Sequence, residues 1–294
     1  MAFSQTKQHG FPAHPARQIE LQDAAYPAQL RELPSPPKSL WLVGQLPAPE
    51  QRLFAIVGAR AATRAGCDRA HDLAAELGRR GAAIVSGGAF GIDAAAHEGA
   101  LAARAPTFAV FGCGTDVVYP DRHAALFARI AASGGLLSEY PPGTKPRPGQ
   151  FPARNRIIAG LALAVVVVEA TMRSGALITA RLTRALGRML FAVPGSPGTD
   201  AILRAGQALP AASAADIERV LAGEEPRPQP VPPAPGPLAA VLDAISLGAD
   251  SPSSLCERLG MGLPSILAIL AEAELEGFVR RAAGNIYEVI GRAC

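Results

Sequence analysis

Two arginines, Arg154 and Arg156, stand directly upstream of "LALAVVVVEA", one of the most apolar runs in the chain. Pro152 suits the first turn of a helix, which predicts a helix from Pro152 to about Ala162. Cations in such opening turns face the positive end of the helix dipole, at about 0.3–1 kcal/mol each unless an anion is bound. One reading is therefore an anion held by the pair, with Asn155 between them and Lys145 and Arg147 on the loop before. The other is an ion pair to Glu139 or Glu169. Phe151 offers a flat face on which a base could stack, or it pins the helix as a hydrophobic staple.

Similar chemistry recurs along the chain. In "AIVGARAATRAG", Gly58, Arg60 and Thr63 compose an anion-binding turn: glycine admits close backbone approach, N–H groups point outward and arginine adds charge. A dinucleotide site would need G-x-G-x-x-G here and an acidic residue closing the next strand. Gly58 and Gly66 do not supply that spacing, and the next strand ends in Ser86. After it, "SGGAFGIDAAAHEGAL" places Gly87, Gly88 and Gly91 between a strand and a helix N-terminus. Such a turn cradles phosphate or serves tight strand-to-helix packing. Asp93 and His97 share a helix face, but an Asp in a first turn more often offsets the dipole than moves protons. In "TMRSGALITARLTRALGR", Ser174 and Gly175 open a helix that carries Thr179, Arg181 and Arg184. A mononucleotide needs one such turn. At least four in a row suit a polyanion, a nucleic-acid strand.

The elements that position these turns are legible as six short apolar runs, "LFAIVG", "AAIVS", "TFAVFG", "GLLSEY", "LAVVVVEA" and "MLFAV". They lack period-two alternation, as strands buried on both faces do. Amphipathic segments separate them, which predicts a doubly wound α/β sheet of Rossmann type, mostly parallel. Such sheets bind ligands outside the carboxyl ends of their strands. The sequence divides into an N-terminal extension (1–50), this domain (51–223), a Pro-rich linker "EEPRPQPVPPAPGP" (224–237) and a terminal domain (238–294). The last reads as three helices and two short strands around "AAGN", a small winged helix.

Charge separates the parts. Residues 1–223 hold 23 Lys and Arg against 16 Asp and Glu, a balance of +7, whereas residues 238–294 hold 4 against 7, a balance of −3. A phosphate-bearing partner should dock on the large domain. The winged helix is disfavoured as a DNA reader, because its second-motif helix carries Glu272, Glu274 and Glu276 and no basic residue; Arg280 and Arg281 in the wing are the exception. Cys67, Cys113, Cys256 and Cys294 are scattered with no C-x-x-C pair, against a metal site or a disulfide framework. No secretory h-region and no bilayer-length run are evident, so a cytoplasmic, non-membrane protein is expected.

Together "AIVGARAATRAG", "VSGGAFGIDAAAHEGAL", "FGCGTDVVYP", "FPARNRIIAGLALAVVVVEA", "SGALITARLTRALGR" and "FAVPGSPG" resemble the DNA-processing protein A family (DprA/Smf), in family order over roughly residues 26 to 200. The resemblance implies a homodimeric, non-enzymatic, cofactor-free binder of single-stranded DNA. Such a protein protects incoming transforming DNA and loads the RecA recombinase on it during natural transformation. With the residue reading, it gives the expected DNA-binding set: Gly58, Arg60, Ser86, Gly87, Gly88, Gly91, Lys145, Arg147, Phe151, Arg154, Asn155, Arg156, Ser174, Gly175 and Thr179. The family's basic residue before the Phe is not at its usual offset, so Lys145 or Arg147 takes its role; Asp200 stands where the family pattern favours Asn. The alternative is a nucleotide-hydrolysing Rossmann enzyme of the phosphoribohydrolase type. Its P-G-G-x-G-T-x-x-E feature is absent, since "VPGSPGTD" lacks the second Gly and the Glu.

Overall fold

The computed structural model describes residues 15–231, 236–275 and 277–289. The first fourteen residues of the extension, linker residues 232–235, Glu276 and Cys294 lie outside the described residues. The chain divides into two compact units, Met1–Val231 and Pro232–Cys294.

The first unit opens with β1 (Arg17–Glu20), α1 (Ala28–Arg31) and β2 (Ser39–Gly44). Strands and helices then alternate: β3 (Leu53–Val57), α2 (Arg64–Arg79), β4 (Ala83–Ser86), α3 (Ile92–Ala102), β5 (Thr107–Phe111), α4 (Ala124–Ser133) and β6 (Gly135–Ser138). The alternation continues through α5 (Gln150–Leu161), β7 (Ala164–Val167), α6 (Gly175–Ala185), β8 (Met189–Ala192), α7 (Pro197–Arg204), β9 (Leu209–Pro210) and α8 (Ala214–Leu221). The six apolar runs are β3 to β8.

Burial on both faces explains why those runs do not alternate. Leu53, Ala55 and Val57 of β3 and Val165 and Val167 of β7 pack with Ile157, Ile158 and Leu161 of α5. Phe54 and Ile56, with Ala164 and Val166, pack instead on Leu73 and Leu77 of α2 and Ile92 and Ala96 of α3. Helices thus cover both sides of the sheet.

The strand order is β1-β2-β6-β5-β4-β3-β7-β8-β9. Strands β3 to β9 pair in parallel, while β1–β2 and β2–β6 are antiparallel. From β3 the chain winds outward through β4, β5 and β6, then returns to the other flank of β3 with β7. That reversal opens a crevice at the carboxyl ends of β3 and β7, where open α/β sheets take ligands.

Residues 17–44 do not form a separate extension. They add two strands to the sheet, with Trp41 opposite Ser138 of β6, and Tyr26, Leu30, Leu33 and Leu40 are buried in the shared core. The helix carrying Arg154 also starts at Gln150, two residues earlier than its proline predicts.

The second unit consists of α9 (Pro237–Ser246), α10 (Pro252–Leu259), α11 (Leu263–Leu275) and an antiparallel pair, β10 (Val279–Ala282) and β11 (Ile286–Val289). Ser251 accepts from the Ser254 N–H at 3.3 Å to start α10, and Gly260 at φ +67° ends it. Val241, Leu255, Ile266, Leu270, Val279 and Tyr287 close a small core, completing the winged helix. Glu272 and Glu274 are exposed on α11, and Arg280 is paired with Glu288 at 2.6 Å, which further weakens the wing as a phosphate contact. No single helix among the described residues is long and apolar enough to cross a membrane.

Candidate nucleic-acid interface

A cavity of about 350 Å³ lies at the β3/β7 crevice. Eight of the expected residues line it: Gly58, Arg60, Phe151, Arg154, Asn155, Ser174, Gly175 and Thr179. The strand order brings them together, because the loops after β3 and β7 are neighbours although more than a hundred residues separate them in sequence. Ser174 caps α6 by accepting from the Ala176 N–H at 3.2 Å, and Asn155 Nδ2 donates to the Gly175 carbonyl at 3.5 Å, tying α5 to α6.

The β3 turn has an internal anion. The Glu169 carboxylate, just past β7, accepts from the Thr63 N–H at 3.0 and 3.2 Å and from the Thr63 hydroxyl at 2.6 Å. The Ala59 N–H donates to the Glu169 carbonyl at 2.8 Å. Glu169 therefore fills the turn that reads as an anion nest and pairs with neither arginine. What it leaves outside is Arg60. This side chain is exposed, forms no ion pair among the described residues, and holds its guanidinium 5.4 Å from the Phe151 ring centroid. The Phe151 ring also lies near that of Tyr119, with ring centroids 5.4 Å apart at 36°.

The β4 turn is filled in the same manner. Asp93 of α3 accepts from the Ala89 N–H at 3.3 Å, and Arg154 lies beside it. Burial pushes the Asp93 carboxyl upward, while Arg154 and the Ala89 N–H favour its charged form. Arg154 is only 4% exposed. Its Nη1 donates to the Val110 carbonyl, its Nε has no protein partner, and burial lowers its pKa to about 10. Gly87 makes room for it, since a Cβ there would overlap Nη1 and stand 2.7 Å from Asp93 Oδ2.

The expected residues take distinct places in this geometry. Arg154 donates to the Val110 carbonyl, lies near the Asp93 carboxylate and closes the cavity from within. Arg156 makes two 2.7 Å bonds to Glu139 and donates to the Ser35 and Ala153 carbonyls, each at 3.0 Å. The ion-pair reading therefore holds for Arg156, and it is not among the residues that line the cavity. Ser86 is buried and donates to the Ile56 carbonyl at 2.6 Å. Gly87 and Gly88 are buried too; at Gly88 a Cβ would press on Phe127, and at Gly91 on the Ala59 carbonyl. Packing explains all three glycines. Lys145 and Arg147 are exposed on the β6–α5 loop and do not line the cavity. Tyr119 and Glu169 carry roles that residue type alone did not assign.

His97 is fully buried. Its Nδ1 lies 2.7 Å from Thr107 Oγ1, which donates to the Ile84 carbonyl at 3.2 Å, so Nδ1 carries the proton; Nε2 has no partner. Burial, then His123 and Arg154, hold its pKa down to about 3 from 6.5. The unfolded chain thus takes up a proton below pH 6.5 that the folded protein refuses, and stability falls on acidification through that window toward pH 3. His97→Gln should lessen this sensitivity: urea unfolding at about pH 5 and at neutral pH should differ less for the variant, by up to about 1.4 kcal/mol per pH unit. An equal pH dependence would contradict the buried neutral imidazole. Among the described residues no group of three or more His, Cys, Asp or Glu side chains is placed to hold a metal ion.

Residues 17–221 match the family model for DNA recombination-mediator protein A, and residues 225–285 match the DprA winged helix domain. Protein Smf of Escherichia coli strain K12 is 35% identical over 289 residues, covering 92% of this chain and 76% of that relative. The X-ray structure of DNA processing protein A from Streptococcus pneumoniae matches with a TM-score of 0.66 and 38% identity, over 74% of this chain and 77% of that one. DNA processing protein A from Helicobacter pylori, whose structure is described for its single-stranded DNA binding mode, matches at 0.63 and 33%, over 71% and 98%. With its sheet, its crevice and both of its units accounted for, the chain belongs to the DNA recombination-mediator protein A family.

Proposed function

We propose that the protein binds single-stranded DNA at the carboxyl edge of its sheet. The observation that carries this reading is the cavity at the β3/β7 crevice, where an exposed Arg60, without an ion pair among the described residues, lies over the Phe151 ring. A guanidinium beside an aromatic face can take a phosphate and a base together, as sequence-tolerant binders of single strands do. Gly175 at the start of α6 adds a helix N-terminal N–H group, and Ser174 a hydroxyl, for a second phosphate. Lys145 and Arg147 supply further charge as the strand leaves the cavity.

The role is binding and not catalysis. Asp93 and His97, the pair with acid–base potential, are buried; Asp93 accepts from the Ala89 N–H, and His97 lies against Thr107 and does not line the cavity. Family membership supports the wider reading: the protein, as a cytoplasmic homodimer, protects incoming transforming strands and loads a RecA-type recombinase on them. The test is competition. A labelled single strand bound to the protein should be displaced by unlabelled single strand at far lower concentration than by duplex of the same length. Equal displacement by the two would overturn the reading.

A further inference from the structure

We infer that Phe90 is a second base-stacking platform, carrying the strand out of the cavity over the loops that follow β4 and β5, an extension that rests on the single-strand reading above. Among the described residues, the exposed large aromatic side chains are Phe90 at 43% and Tyr119 at 44%. Both stand on loops at the carboxyl ends of adjacent parallel strands. Phe90 directly follows Ala89, which lines the cavity.

A single exposed apolar residue is ordinary, but Phe90 is held in place. Its ring meets that of His123 edge-on, with centroids 4.7 Å apart at 74°. His123 in turn stands edge-on to the buried Phe127, at 5.7 Å and 83°, and its Nδ1–H donates to the Gly88 carbonyl at 3.1 Å. The loop is pinned at both ends as well. The Ala89 N–H donates to Asp93 at 3.3 Å, the Ile92 N–H to the Ala59 carbonyl at 3.2 Å, and Gly91 adopts φ +74°. The loop is therefore ordered before any ligand arrives, and stacking on Phe90 requires little further ordering.

Tyr119 continues the path from the cavity side. Its ring lies against Phe151, and a 3₁₀ turn, Asp121–His123, leads from it to the residue that props Phe90. Arg60 and Arg122 are exposed along the same edge. Aromatic faces interleaved with arginines suit unpaired bases linked by phosphates. A duplex hides its base faces, so this platform favours single strands over duplex.

The experiment uses full-length protein with Phe90→Ala and Phe90→Trp. Binding is measured by anisotropy to an oligothymidylate, to an abasic strand of equal length and to a duplex. Phe90→Ala should weaken oligothymidylate binding about five- to tenfold, leave abasic-strand and duplex binding unchanged, and melt at the wild-type temperature. Phe90→Trp should restore affinity, with its indole emission quenched on binding. Unchanged oligothymidylate affinity in Phe90→Ala, or an equal loss on the abasic strand, would overturn the inference while the single-strand reading stands. Failure of the wild-type protein to bind oligothymidylate would overturn that reading, and the platform with it.

Discussion

Replacing Arg154 with alanine should destabilise the sheet-bearing unit by about 3–5 kcal/mol. The guanidinium is buried near the Asp93 carboxylate and donates to the Val110 carbonyl; removing it takes away the cation beside that carboxylate and leaves the carbonyl without its donor. A domain stable by about 5–15 kcal/mol loses a large share of that in one step. Trimming both partners to uncharged groups of similar size, as in Asp93→Asn with Arg154→Met, should recover much of the loss. A buried pair exchanged for well-packed apolar groups is often neutral. Urea unfolding followed by Trp41 emission and far-UV circular dichroism measures both variants. An Arg154→Ala protein as stable as wild type would show that the pair does not hold the β4 turn. Loss of DNA binding in Arg154→Ala therefore reports on folding before it reports on contact.

Replacing Arg60 should do the reverse. Its guanidinium is exposed, has no carboxylate partner among the described residues, and lies over the Phe151 ring. Surface substitutions of this kind change stability by no more than about 0.5 kcal/mol. Binding of single strands should nevertheless weaken about five- to tenfold at moderate salt, uniformly across sequences, because a phosphate contact carries no base information. An affinity loss confined to particular base sequences would place Arg60 against base edges instead. The two arginines, alike in residue type and both on the cavity wall, thus separate into one that builds the site and one that presents charge.

That separation is what residue types and spacing could not show. Glu139 was one of two candidate partners in the sequence, and the fold assigns it to Arg156, while Asp93 in the first turn of α3 lies beside Arg154. With α5 starting at Gln150 both arginines lie beyond its first turn, and the protein supplies the nearby anions itself. The same holds for the turn at Thr63, whose carboxylate arrives from beyond β7. The doubly wound sheet was legible because strands buried on both faces leave unbroken apolar runs. The winged helix was legible because the Gly260–Gly262 turn separates two helical segments and two short runs flank "AAGN". The sheet pairing of β1 and β2 was not, since "SLWLVG" joins the sheet antiparallel to β6, nearly a hundred residues later. The start of α5 moved for a local reason: Gln150 Oε1 accepts from the Arg147 N–H at 2.7 Å, drawing the loop into the helix before Pro152. The meeting of Gly58, Arg60, Phe151 and Ser174 around one cavity follows from strand order, which apolar runs alone do not specify.

The central claim, that a phosphate chain docks on Arg60 at the β3/β7 crevice, is tested most directly by the salt dependence of oligothymidylate binding in wild type and Arg60→Ala. The logarithm of affinity should fall linearly with the logarithm of salt for both, and the variant's slope should be shallower by about 0.7, the loss of one single-strand phosphate contact. Parallel lines would place the strand elsewhere on the protein.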